Sequence, residues 1–105
     1  MLYHFPKPVD ARIREAIAGK HLVEVRYKGR TRLAEPHDYG RQHGQDRLLV
    51  YQLNTTGTSG HPVGWRLFDL GKIESLTVLD AKFRGSRRVA HQDHHTWDIL
   101  YARVD

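Results

Sequence analysis

The spacing of the apolar residues changes from helical to strand-like at His21, and this change largely decides the fold class. In residues 10–18 the apolar side chains recur on one face of a helix. From His21 they alternate, so that Val23, Val25 and Tyr27 point one way and the charged residues between them point the other. A short helix followed by half-buried strands is therefore the framework of the chain.

The predicted helix has one apolar stripe, formed by Ile13, Ala16 and Ile17. Asp10 is placed to cap the first free amides, and Gly19 is placed to end the helix. Three turns are only marginally stable in isolation, so we expect the apolar stripe to pack on an open end or face of a sheet.

A hairpin is predicted around Lys28 and Gly29, and its register decides which side chains face the core. A two-residue turn would place Val25 opposite Arg32, whereas a three-residue loop would place Val25 opposite Leu33. We prefer the three-residue loop. It leaves three arginines off the core face: Arg26, Arg30 and Arg32.

The remaining strands follow in short segments. Pro36 is expected to end the second strand, and residues 37–46 form a polar turn region before a third, central strand at 47–53. A Gly-rich and Thr-rich loop leads to a fourth strand at 65–70, and a bend at Gly71 and Lys72 leads to a fifth at 73–83. The final segment, 97–104, alternates like another strand that closes the sheet or pairs with a second copy.

These elements predict a mainly β chain with one N-terminal helix and a small antiparallel sheet of about five strands, curled into a partly open barrel. A length of 105 residues fits one domain. We assign the helix to about 10–18, the barrel to about 21–83 and a C-terminal extension to 84–105, within a single domain of residues 1–105.

Composition removes several classes of function. The absence of cysteine excludes disulfides, thiolate zinc sites and cysteine nucleophiles. The apolar runs are shorter than the roughly 20 residues of a membrane helix, and the first ten residues lack the pattern of a signal peptide. We therefore expect a cytoplasmic protein with no membrane partner. The 17 Lys and Arg against 12 Asp and Glu give a formal charge of +5, which favours anionic ligands.

The histidines and carboxylates give little support for a metal or a catalytic site. The run of His91, Asp93, His94 and His95 offers metal-ligand chemistry at a nonspecific spacing in a polar segment. Glu35, His37 and Asp38 are close in sequence, but the sequence does not determine how their side chains are placed relative to one another. His37 and the other scattered histidines are expected on the surface or in turns. We predict a protein that is not an enzyme and has neither a metal site nor a cofactor.

Basic residues interleaved with aromatic ones form the stronger signal. Guanidinium groups bind phosphates in a bidentate manner and aromatic faces stack on bases, a combination suited to nucleotides or single-stranded nucleic acid. We expect Tyr51 and Trp65 to pack in the core. The candidate ligand-binding residues are Arg30, Arg32, Arg47, Arg66, Lys72 and Tyr39.

Residues 13–83 resemble a WYL domain, a family that runs as a helix, a strand ending in Tyr, a return strand ending at Pro, a central apolar strand, an Arg-x-Phe-x-Leu-x-Arg-Ile segment and a closing Phe. The matching segments here are Ala16-Ile17, Val23 to Tyr27, Pro36, residues 47–53, Arg66 to Ile73, and Phe83. The Trp and Tyr that give the family its name are replaced near Arg47 and Leu48, and Lys72 stands in place of the second Arg.

The resemblance implies a small Sm-like β-barrel with a helix, used in bacterial regulators as a ligand sensor. Nucleotides or single-stranded nucleic acid are the ligands that it suggests, with Arg66 and Lys72 in the groove. In such regulators the domain usually accompanies a winged helix-turn-helix domain, for which 105 residues leave no room. We therefore expect a free-standing module that acts through a partner regulator, through a homo-oligomer or by sequestering its ligand.

A second hypothesis belongs to another functional class. The sheet edges and the predicted strand at 97–104 would pair with a partner or a second copy by strand addition, with no nucleic-acid ligand.

Overall fold

The computed structural model describes residues 8–55, 63–87 and 97–105. The elements are α1 (Val9–Gly19), β1 (His21–Tyr27), β2 (Arg30–Gln42), β3 (Gln45–Thr55), β4 (Gly64–Asp69), a 3-10 helix (Leu70–Lys72), β5 (Ile73–Lys82) and β6 (Ile99–Arg103). The predicted class is confirmed, since the chain is mainly β with one helix and an antiparallel sheet. The sheet has six strands because the predicted C-terminal strand joins the five others. At 11 residues, α1 is too short to cross a membrane.

The N-terminus of α1 differs from the prediction, whereas its C-terminus agrees with it. Pro8 occupies the N-cap position and no side chain caps the helix, so the predicted cap at Asp10 is wrong. The helix ends at Gly19 as predicted, but the left-handed capping residue is Lys20, with φ of 57°, and its amide donates to the carbonyl of Ile17. The buried face is as predicted: Ile13, Ala16 and Ile17.

The β1–β2 hairpin has a two-residue turn at Lys28 and Gly29, and the predicted three-residue loop is wrong. Both turn residues have positive φ, 51° and 72°, which is the backbone of a type I′ turn. Val25 therefore lies opposite Arg32. Directly opposite residues share a face of the sheet, so Arg32 lies on the core side and is only 7% exposed. Arg26, by contrast, is exposed as predicted.

Pro36 does not end β2, and residues 37–42 are strand rather than turn. The register of β2 against β3 shifts between Pro36 and Asp38, so His37 is the extra residue of a bulge. A bulge tolerates proline because the ladder bond is already interrupted there. The turn comes later, at His43 and Gly44, both with positive φ.

The sheet order is β4-β3-β2-β1-β5, and β6 pairs with the second half of β2. Strands β4 and β5 lie at opposite ends of this order, yet a 3-10 helix of three residues joins them. The sheet must therefore curl until its two ends approach each other. Tyr27 of β1 meets β4 across the interior, since its ring stacks on Phe68 at 4.5 Å and its hydroxyl accepts a bond from the amide of Asp69. The described strands do not close, so a barrel is not confirmed.

The core fills the inside of this curl and extends to the buried face of α1. Its largest side chains come from the helix and from four of the strands: Ile13, Tyr39, Leu48, Phe68 and Leu76. Val104, the residue that follows β6, belongs to the same cluster, and Tyr101 of β6 packs against it. The C-terminal strand thus pairs within the chain and helps to bury its core.

Candidate functional site

The arginine cluster

Arg30, Arg32 and Arg66, here called the arginine cluster, are brought together at the inner face of the curled sheet. Arg32 is the buried member. Its guanidinium lies 5.4 Å from the ring centres of both Tyr27 and Phe68, and it donates to the side-chain oxygen of Gln52 and to the carbonyl of Tyr27. Two buried donors remain unused, Nε of Arg32 and Nε2 of Gln52.

The surroundings of Arg32 disfavour its positive charge. Burial lowers the pKa of Arg32, and the nearby charges of Arg66 and Arg30 lower that pKa further. Within the described ranges, no carboxylate forms an ion pair with Arg30 or Arg32. Arg66 itself donates to the carbonyl of Trp65. An anion placed against the cluster would relieve this imbalance.

Arg47 and Lys72, two further candidates from the sequence, are partnered elsewhere. Arg47 contacts Asp69 at 2.8 Å and also bonds Gln42. Lys72 lies 3.6 Å from the same carboxylate, and its side chain is 65% exposed. Asp69 lies three positions beyond Arg66 in β4 and holds both cations at that end of the strand.

Tyr39, the last sequence candidate, lies in the core. It is 2% exposed, and its hydroxyl donates to Asp10 of α1 at 2.7 Å. Its ring packs against Tyr101 of β6. The structure therefore places Tyr39 where it joins the helix to the sheet.

The outer cleft

A cleft of about 1080 Å³ opens on the other face of the sheet, and we call it the outer cleft. Its floor comes from β2, β3 and β4, and one wall is the segment 82–87, which begins at the last residue of β5. The lining residues are Leu22, Glu35, Tyr51, Leu53, Gly64, Trp65, Lys82, Phe83, Arg84, Gly85, Ser86 and Arg87. None of them was among the ligand-binding residues predicted from the sequence, although the segment "KFRGSRR" carries a concentration of cations around an aromatic residue.

An ion pair fastens the wall to the floor. Arg87 donates to both carboxylate oxygens of Glu35, at 2.7 Å and 3.1 Å, and its guanidinium lies 3.7 Å from the ring centre of Tyr51. The hydrogen bond to Glu35 raises the pKa of Arg87 above its ordinary value. This charge is therefore fixed over the sheet.

Backbone bonds hold the same wall from behind. The amide of Phe83 donates to the carbonyl of Lys20, and the amide of Ser86 donates to the carbonyl of Asp105. Gly85 lies between them with φ of 114°, and a Cβ there would press on the carbonyl oxygen of Asp105. The segment consequently has little freedom to move.

Aromatic rings form the floor and the layer beneath it. Trp65 meets Tyr51 edge to face at 5.3 Å and meets His37 in the same way at 4.7 Å, while Phe83 lies 5.5 Å from His37. Tyr51 and Trp65 are half-buried and line the cleft, so the prediction that they lie in the core is only partly right.

His37 is fully buried, and the prediction of a surface or turn position is wrong. Burial lowers the pKa of His37, which favours the neutral imidazole. Its Nδ1 bonds the carbonyl of Glu35, Glu35 itself pairs with Arg87, and Asp38 pairs with Arg103. The three sequence neighbours thus form no carboxylate–imidazole pair among the described residues.

The histidine-rich run that was considered as a metal site and not adopted lies outside the described residues: His91, Asp93, His94 and His95. Within the part of the chain that is described, no three His, Asp or Glu side chains are grouped to hold a metal ion.

Comparisons with known proteins add no identity, since no protein-family model, no curated protein and no solved structure matches this chain.

Proposed function

We propose that this protein is a ligand-binding module of the WYL type, which binds the phosphates of a nucleotide or a short single-stranded nucleic acid through the arginine cluster. One observation carries the proposal: Arg32 is buried beside Arg30 and Arg66, and Arg32 itself has no carboxylate partner within the described ranges. The match of the Arg66 to Ile73 segment to the family pattern supports one member of the cluster, Arg66.

The uncompensated positive charge of the arginine cluster favours a phosphate as its ligand. A buried guanidinium costs several kcal/mol of desolvation unless a counter-charge and hydrogen bonds offset it. The rings of Tyr27 and Phe68 offset only part of this, because a cation–π contact contributes about 0.5–2 kcal/mol. A phosphate supplies both negative charge and acceptors for unused donors such as Nε of Arg32.

The structure supplies a charge-matched control for the test. Arg66→Ala and Lys72→Ala each remove one positive charge, but Lys72 pairs with Asp69 and lies outside the cluster. We expect labelled single-stranded DNA or RNA to lose affinity as salt rises, with a log–log slope of about −0.7 per phosphate contact. Fluorescence anisotropy should show that Arg66→Ala weakens binding and flattens this slope, while Lys72→Ala changes both much less.

Equal effects of the two substitutions would contradict the arginine cluster as the site. Absence of saturable binding by any single strand or mononucleotide near physiological salt would contradict the function itself. Arg30→Ala provides a second member of the cluster that is only half-buried, so its effect on folding should be small.

A second candidate function, assembly by strand pairing, rests on β6. Among the described strands β6 pairs only with β2, and its Ile99 and Leu100 side chains are 51% and 41% exposed. These residues would contact a partner strand or a second copy. Sedimentation of Leu100→Glu tests this, because an exposed charge should dissociate an oligomer without unfolding the monomer. A wild-type protein that is monomeric at high concentration would rule out self-assembly.

A further inference from the structure

We propose that the outer cleft is a second binding site, which takes a nucleoside monophosphate with its base on the aromatic floor and its phosphate on Lys82 and Arg84. The inference shares phosphate chemistry with the proposed function, but it depends on different residues on the opposite face of the sheet.

Alternation along the strands separates the two sites. Glu35, Tyr51 and Trp65 lie directly opposite one another across β2, β3 and β4, and all three line the cleft. Their neighbours in sequence, Gln52 and Arg66, point to the other face because successive side chains in a strand alternate. A ligand in the outer cleft therefore contacts none of the arginine cluster through the sheet.

The aromatic floor of the outer cleft favours a ligand with a flat aromatic ring system, such as a nucleobase. Three half-buried aromatic side chains line the cleft beside the apolar Leu22 and Leu53: Trp65, Phe83 and Tyr51, the last with the guanidinium of Arg87 over one face of its ring. Stacking of a base on such rings contributes about 1–3 kcal/mol per base. A cleft of about 1080 Å³ has room for a nucleotide, because pockets for drug-sized ligands occupy roughly 300–1,000 Å³.

The rim favours an anion. Lys82 and Arg84 are exposed at the cleft, and neither forms an ion pair within the described residues. The carboxylate at the cleft, Glu35, is engaged on both oxygens by Arg87. Because that pair is internally neutral, Lys82 and Arg84 leave a net positive charge for the ligand to neutralise.

The wall is already in place before a ligand binds. Phe83, Ser86 and Arg87 are each bonded to a different part of the protein, namely Lys20, Asp105 and Glu35. A preorganised site spends little of its binding energy on ordering its own loops. The cations on this wall are thus held next to the floor without a closing motion.

Tryptophan fluorescence provides a local readout of the cleft. The chain has two tryptophans, and in a Trp97→Phe background Trp65 is the sole tryptophan, which excitation at a wavelength that spares tyrosine reports alone. We expect AMP to quench the fluorescence of Trp65 saturably. Adenosine lacks the phosphate and ribose 5-phosphate lacks the base, so each should bind at least about tenfold more weakly than AMP. Calorimetry on the wild-type protein checks that Trp97→Phe has not altered the cleft.

Substitutions at the rim then separate this site from the arginine cluster. Lys82→Ala and Arg84→Ala should each raise the dissociation constant for AMP by about three- to tenfold and leave that for adenosine unchanged. Arg66→Ala should leave the AMP quenching unchanged. Because Lys82 and Arg84 are exposed, loss of folding should not obscure the result.

Three results would overturn the inference: no saturable quenching by AMP, adenosine and ribose 5-phosphate binding as well as AMP, or AMP binding that is insensitive to Lys82→Ala and Arg84→Ala. AMP binding that is lost only in Arg66→Ala would reject the outer cleft and leave the proposed function standing. Quenching that depends on the rim, combined with no effect of Arg66→Ala on single strands, would support the cleft and reject the arginine cluster.

Discussion

Arg87 donates two hydrogen bonds to the carboxylate of Glu35, although the two residues are 52 positions apart. The Glu35 side chain is 9% exposed and that of Arg87 is 39% exposed, so the pair lies at the boundary between solvent and sheet. Arg87→Ala should lower the free energy of unfolding by about 1–2 kcal/mol, because it leaves a nearly buried carboxylate unpaired but still within reach of water. Urea unfolding measures the loss.

The exposed pair between Arg26 and Glu74 is the matched control, since both side chains are about half exposed. Arg26→Ala should cost less than about 0.5 kcal/mol. Equal losses for the two variants would mean that Glu35 is solvated in solution and that segment 82–87 does not lie fixed over the floor.

The bond from Tyr39 to Asp10 predicts a pH dependence at both ends of the scale. It lowers the pKa of Asp10 below the ordinary 3.8, and burial together with Asp10 raises the pKa of Tyr39 above the ordinary 10.0. A lowered folded pKa contributes stability that is lost as the pH falls through it, and a raised one contributes stability that is lost as the pH rises above 10.

The difference in unfolding free energy between the wild type and Tyr39→Phe should therefore be constant between about pH 4 and 10 and shrink on either side. Chemical unfolding across the pH range measures it. Tyr51→Phe is the control, because the hydroxyl of Tyr51 bonds no carboxylate among the described residues. A difference that stays flat from pH 2 to 12 for Tyr39→Phe would show that the bond to Asp10 does not form.

Periodicity was sufficient to predict the helix, the strands and the C-terminal strand, because burial on one face imposes a period on the apolar residues. It could not settle the first hairpin. Lys28 is not a residue that typically favours positive φ, so the two-residue turn carried no local signature, and the register of Arg32 followed from it. Pro36 was misleading for a related reason, since the adjacent bulge has no sequence signal.

The two candidate sites were predictable to different degrees. Arg30 and Arg32 are neighbours in sequence, and the match around Arg66 suggested that it joins them. The outer cleft combines Glu35, Trp65 and Arg87, which only the curl of the sheet and the return of the chain after β5 bring together. No local sequence pattern predicts that these three residues lie close together, although the concentration of basic residues after β5 is evident in the sequence.

We predict that Arg32 and Gln52 serve ligand binding and that their burial does not increase the stability of the folded protein. Replacing both by apolar residues of similar size, Arg32→Met with Gln52→Leu, removes a buried charge and the two unused donors together. We expect the double variant to be as stable as the wild type or more stable by about 1–2 kcal/mol. Differential unfolding in urea measures this change.

Added phosphate separates the binding role from a purely structural one. At matched ionic strength, phosphate should stabilise the wild type relative to chloride through mass action and stabilise the double variant much less. A double variant that is several kcal/mol less stable would indicate that Arg32 holds the fold together through Tyr27 and Phe68, and would weaken the case for an anion.

Gly85 is the position where a single methyl group should most damage the outer cleft. Its φ of 114° is strained for other residues, and an added Cβ would press on the backbone carbonyl of Asp105. Gly85→Ala should therefore lower the free energy of unfolding by more than about 2 kcal/mol and weaken AMP binding, because the wall carrying Arg84 and Arg87 must shift. Gly71→Ala is the matched control, since a Cβ there meets open space and φ is ordinary, and it should be neutral or slightly stabilising. If Gly85→Ala is as stable as Gly71→Ala, the segment does not pack against Asp105, and the preformed wall on which the nucleotide site depends is absent.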